Sequence, residues 1–153
     1  MKTLVYLGSF LLVFLTACSS LVLKPADFAW PVESVLDIDN DGNAVVNRYS
    51  ESFNTKPLFY KELGDSLAYR NQQLRVIRNK DGYYFMVANN FKNVYVFNDK
   101  DGAFNLEKKI TISDSAGVQN PAFNQRSPFI ELVYGPGSTN KINLTSNGIK
   151  KEE

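Results

Sequence analysis

Turn signals recur along this chain at close intervals: Asn40-Asp41-Gly42, Leu63-Gly64-Asp65, Lys80-Asp81-Gly82, Lys100-Asp101-Gly102, Ala116-Gly117 and Gly135-Pro136-Gly137-Ser138. The runs between most of them are rich in Val, Ile, Tyr and Phe. β-branched and aromatic side chains favour a pleated backbone, and Asp-Gly pairs supply the positive φ that tight hairpins demand. Short strands at this spacing predict an all-β chain, an antiparallel meander of hairpins closing into a small sandwich or barrel. The flanking sequences do not repeat, so a repeat array is not expected.

The central region can be registered by argument. Three-residue loops at 80–82 and 100–102, with a four-residue loop at 89–92, pair Ile77 with Phe85, Val87 with Val94 and Val96 with Leu106. One face then gathers Ile77, Phe85, Val87, Val94, Val96, Phe104, Leu106, Ile110 and Ile112, which is a core face. The other carries Leu74, Val76, Tyr84, Met86, Tyr95 and Phe97, edged by Arg78, Asn105, Glu107 and Lys109. A sheet with one wet face should be polar there. This face is half aromatic, so either a further layer covers it or it receives a partner. Tyr84, Met86, Tyr95 and Phe97 are therefore the candidate partner-binding face. The cover, if there is one, is the "DFAWPV" segment with Phe28 and Trp30, or a short helix near 57–63. Pro57 suits a first helical turn and Gly64 a C-cap in that helix. "FIELVY" (129–134) is a strand that "KINL" (141–144) can join.

The N-terminus carries a different signal. Lys2 precedes an apolar run from Leu4 to Ala17, the layout of a secretory leader. The run ends in Leu15-Thr16-Ala17-Cys18, which resembles the lipobox of bacterial lipoproteins. That resemblance implies cleavage before Cys18 and acylation of Cys18 with diacylglycerol and palmitate-type chains. It covers the leader only and says nothing of the mature domain. Ser19, in place of an acidic residue, implies sorting to the outer membrane with the domain facing the periplasm; the inner membrane is the alternative. Two or three acyl chains hold a protein firmly on a bilayer. An uncleaved span over Leu4–Leu23 is the competing reading, with the same external address. The expected organisation is a signal peptide at 1–17, a lipidated Cys18 and tether to residue 26, one β domain at 27–148 and a flexible tail at 149–153.

Charge and composition exclude several functions. Lys2 leaves with the leader, so the 17 basic and 16 acidic residues of the whole chain come to balance. No basic stripe exists to neutralise phosphates, so no nucleic-acid partner is expected. Cys18 is the one cysteine, so the domain has no disulfide. Histidine is absent. That removes Ser-His-Asp and Cys-His machinery and nearly all zinc chemistry. Any enzyme here would run on carboxylates, tyrosine or lysine, and the expectation is a protein that is not an enzyme and carries no cofactor.

Three motifs offer sharper chemistry. Asp37, Asp39 and Asp41, followed by Gly42 and Asn43, match the start of an EF-hand calcium loop. The twelfth position, which should be a bidentate glutamate, is Arg48. A hairpin with Ile38 opposite Ala44 and Leu36 opposite Val46 explains the same residues with both aspartate-bearing positions wet. Ser138 to Lys141 reads S-x-x-K, but its S-D-N and K-T-G companions are missing. Asp65, Asp99, Glu107, Asp114 and Glu131 could supply a glycosidase pair only if a cleft brings two of them within about 5–10 Å. The reading as a whole is a membrane-anchored, non-catalytic binding or scaffolding module of the cell envelope, with an envelope protein or glycan as partner. The alternative is a carbohydrate or cell-wall binding protein with weak carboxylate-based hydrolysis.

Overall fold

The computed structural model describes residues 32–150 except 49 and 127. Cys18, the leader, the tether and the Phe28–Trp30 segment lie outside the described residues.

The fold is all-β and sandwich-like, and its sheets are not closed into a barrel. Five strands form the main antiparallel sheet in the order β1-β4-β5-β6-β7: β1 (Ser34–Asp37), β4 (Gln73–Arg78), β5 (Tyr83–Ala88), β6 (Asn93–Lys100) and β7 (Ala103–Thr111). A second sheet runs β11-β10-β9-β8, from β8 (Ala122–Arg126), β9 (Phe129–Tyr134), β10 (Asn140–Thr145) and β11 (Gly148–Ile149). β2 (Asn43–Val46) and β3 (Glu51–Asn54) make a separate pair. The predicted short helix is present as α1, Lys56–Leu63, with Pro57 in its first turn and Gly64 as a left-handed C-cap.

β5 explains the layering. Its residues 84–88 are all buried, so both of its faces are covered. Ile77, Phe85, Val87, Val94 and Val96 on one face join a single hydrophobic cluster with Phe123, Ile130, Leu132 and Leu144 of the second sheet. The opposite face packs under α1 and the β2–β3 pair. A strand buried on both sides must be apolar throughout, which is why the sheet's outer face is aromatic where a wet face would be polar.

The registers can be compared strand by strand. Ile77 pairs with Phe85, as the three-residue loop at 80–82 demands. β5 and β6 pair Phe85 with Val96 and Met86 with Tyr95, the register that sets Val87 against Val94. The 100–102 turn differs. Lys100 pairs directly with Ala103, leaving Asp101 and Gly102 as a two-residue loop with φ of 57° and 73°. Positive φ at both central residues is the type I′ turn, whose twist matches that of the strands. Phe97 therefore pairs with Leu106, and a bulge then sets Val96 against Lys108. The expected Val96–Leu106 pairing is corrected by one step, and a one-residue step moves side chains to the other face. Phe104 lies with Tyr84, ring centroids 4.8 Å apart, and Leu106 is 43% exposed. The bulge restores Ile110 to the core, where it is 4% exposed.

Two other expectations change. The turn at 39–43 forms where expected, with the Asp39 N–H donating to the Asn43 carbonyl at 3.0 Å. Its flanking strands do not pair with each other, however: β1 pairs with β4 and β2 with β3. Leu36, Ala44 and Val46 are buried all the same, because the alternation is a property of each strand and not of its partner. At the other end, Leu144 pairs with Ile149, and the Lys150 N–H donates to the Asn143 carbonyl at 2.8 Å. The ordered domain thus continues past 148, where the tail was expected to begin. Gly117 is needed for close approach: a Cβ there would lie 2.0 Å from the Asn90 carbonyl oxygen. That contact lets the 89–91 turn exchange hydrogen bonds with Val118, each 2.8 Å.

Candidate functional site

The aromatic face is closed. Tyr84, Met86 and Tyr95 are 1–2% exposed, and Phe97 is half-buried. α1 supplies the lid through Phe59, which meets Phe91 edge-on at 5.0 Å, and Phe91 in turn meets Tyr95 at 6.2 Å. Phe53 of β3 covers Phe104 at 5.1 Å. As a partner-binding surface the four residues are therefore corrected: their rings are spent on the protein's own helix and hairpin. A groove of about 410 Å3 remains between β3, the start of α1 and the β6–β7 hairpin, with Met86 and Phe97 reaching its floor.

A single carboxylate pins this lid. Glu62, in the last turn of α1, accepts hydrogen bonds from the Lys92 and Asn93 backbone N–H groups, from the Asn93 side-chain amide and from the Tyr95 hydroxyl at 2.6 Å. Burial first, and then the anionic Glu62 acceptor, push the Tyr95 phenol well above its ordinary value of 10.0. In alkaline titration followed by ultraviolet absorbance, Tyr95 should ionise well above the ordinary phenol value, and Glu62→Ala should bring it down. A folded pKa above the unfolded one means that this bond's stabilisation is complete below about pH 10 and is lost as pH rises further. A Tyr95 that ionises at the ordinary phenol value would contradict the clamp.

The calcium candidates are dispersed. Asp39 Oδ1 accepts the Asp41 and Asn43 N–H groups at 2.9 and 2.8 Å, and its Oδ2 accepts the Asn43 amide. The Asn43 N–H is the main cause that holds the Asp39 carboxyl below its usual value. Asp37 accepts from Gln73 Nε2 at 2.9 Å. The Asp41 carbonyl and the Asn43 side chain accept from Asn54. Among the described residues no group of three acidic side chains could hold a metal ion. The turn is a structural joint: the Gly42 carbonyl accepts both the N–H and the hydroxyl of buried Thr55, the residue that starts α1.

The remaining carboxylates are scattered too. Asp65 caps the Leu67 N–H, Glu107 sits at the β7 bulge and Glu131 meets Arg126 at 3.5 Å. Ser138 and Lys141 are exposed at the β9–β10 connection.

What sequence reasoning missed is a polar recess of about 910 Å3 at one end of the main sheet. It collects the Asp37–Asn40 turn, the Arg70–Gln73 run, Arg75, Asn89 and the Asn120-Pro121 step. The consecutive Arg70-Asn71-Gln72-Gln73 ahead of an apolar strand was the available signal. Arg75 is neutralised by Glu33 at 2.8 Å, whose other oxygen accepts the Phe123 N–H at 2.7 Å. Arg70, Asn71 and Gln72 keep side chains with no partner among the described residues. No family model, curated protein or solved structure matches this chain. No described helix is long and apolar enough to cross a membrane.

Proposed function

We propose that this chain is a lipid-anchored protein of the bacterial envelope, held by Cys18 at the outer membrane and facing the periplasm. It binds a ligand without transforming it, and the polar recess is the binding surface. The observation that carries this reading is the set of unpartnered polar side chains at the recess, on a scaffold whose aromatic face is otherwise used up. Binding without catalysis is favoured because the recess carboxylates are already engaged: Asp37 by Gln73, and Asp39 by two backbone N–H groups. Asp39, held in its ionised form by those backbone bonds, is a poor general acid.

The test is made in cells. A photo-crosslinking amino acid at Gln73, in the recess, should give an envelope adduct that the same group at Lys109 on β7 does not. Palmitate label should enter the wild-type chain and be absent from Cys18→Ala. No adduct at Gln73, equal adducts at both sites, or label persisting in Cys18→Ala would each overturn the reading.

A further inference from the structure

We infer that the recess is an oligosaccharide site, a deepening that rests on the binding reading above. The first reason is its mixture of hydrogen-bonding groups. A sugar hydroxyl is donor and acceptor at once, and so is a side-chain amide. Asn40, Asn71 and Gln72 present three amides, and Arg70 adds donors beside the acceptor oxygens of Asp37. A ligand that is densely hydroxylated can satisfy all of these together, whereas a ligand lacking hydroxyls would strand them at a cost.

The second reason is charge. Arg75 is cancelled by Glu33, and the lining holds Arg70 together with Asp37 and Asp39, so the recess carries no net positive charge for a polyanion. Nucleic acid and anionic lipid are disfavoured on that ground. The third is the scarcity of apolar wall. Ile38 and Pro121 are its aliphatic residues, and Pro121 is buried. A peptide binds an edge by sending alternate side chains into apolar pockets, and this recess has none.

The walls are also rigid. The Tyr69 hydroxyl donates to the Asn40 carbonyl at 2.9 Å, and Asn89 Oδ1 accepts the Asn120 N–H at 2.9 Å. Asn71 and Asn120 hold left-handed φ of 57° and 49°, which asparagine tolerates better than most residues. A braced backbone loses little entropy when the ligand arrives, and only the Arg70, Asn71 and Gln72 side chains are left to be ordered.

The experiment titrates the full acylated chain in detergent micelles with chitohexaose and with maltohexaose, by calorimetry and by amide chemical shifts. We expect saturable binding of at least one, with shifts centred on Asn40 and 70–73. Arg70→Ala and Gln72→Ala should each raise Kd by about fivefold, the loss of one net hydrogen bond. Lys109→Ala should leave it unchanged, and both recess variants should keep the wild-type melting temperature. No binding of either sugar at millimolar concentration, or binding indifferent to both recess variants, overturns the inference. The crosslink at Gln73 separates the two levels. A protein adduct there with no sugar binding retains the binding reading and removes the glycan, whereas silence in both assays removes both.

Discussion

Phe59→Ala is expected to cost about 3–5 kcal/mol, the range for deleting a fully enclosed aromatic ring. Phe59 is 0% exposed, although it sits on a helix of only eight residues whose other side faces water. So short a helix has almost no stability of its own and exists because its apolar side is buried. The ring is the main apolar tie between α1 and the sheet, through Phe91 and onward to Tyr95. Removing it leaves a cavity and loosens the lid over the aromatic face. Denaturant unfolding should show a lower midpoint with a similar slope, and melting should fall by roughly 10–20 °C. Against a total stability of about 5–15 kcal/mol, that is a large fraction. A loss below about 1 kcal/mol would mean that α1 does not hold the face shut.

Glu62→Ala should be nearly as damaging, at about 2–4 kcal/mol, for a polar reason. The substitution strands the buried Tyr95 hydroxyl and the N–H groups of Lys92 and Asn93. An orphaned buried donor costs more than the net worth of the bond it loses. The pair can be dissected with a double-mutant cycle using Tyr95→Phe. With the hydroxyl already gone, Glu62→Ala should cost about 1–2 kcal/mol less than in the wild type, which is the coupling between the two groups. Additive losses would show that the Tyr95–Glu62 bond contributes nothing beyond position. Glu62→Gln should fall between, since one oxygen still accepts while the new amide faces the Asn93 donor.

These two variants bear on how far the site was legible. The Tyr84-Met86-Tyr95-Phe97 face was visible as a pattern, because period-2 alternation needs nothing beyond the strand itself. Its cover was not visible. "KPLFYKEL" reads as a short helix, but which sheet face it meets depends on chain geometry between residues 46 and 73. The recess was illegible for a related reason. Asn40, Arg70–Gln73, Asn89 and Asn120 come from four separate stretches. Polar residues carry no periodicity that announces a shared destination. Only the pairing of β1 with β4, across an interval of about 40 residues, brings the first two together. The Asp37–Asn43 stretch shows the same division. Its aspartates and glycine identify a turn, whereas its use as the seat of Thr55 and α1 follows from packing.

What the sequence by itself determined was local. The strand-and-turn grammar, the alternation in each strand and the capped helix over 56–63 all rest on neighbouring residues. The missing histidine and the balanced charge narrowed the chemistry without any structure. Tertiary structure decided the rest: that β1 leaves its own hairpin for β4, that a two-residue turn sends Phe104 and Leu106 to the other face before a bulge returns Ile110 to the core, that the aromatic face is shut, and that a polar recess opens at the sheet's end. The physical reason is that turns and alternation are written in adjacent side chains, whereas strand partners and layer cover are chosen by burying apolar area across distant segments.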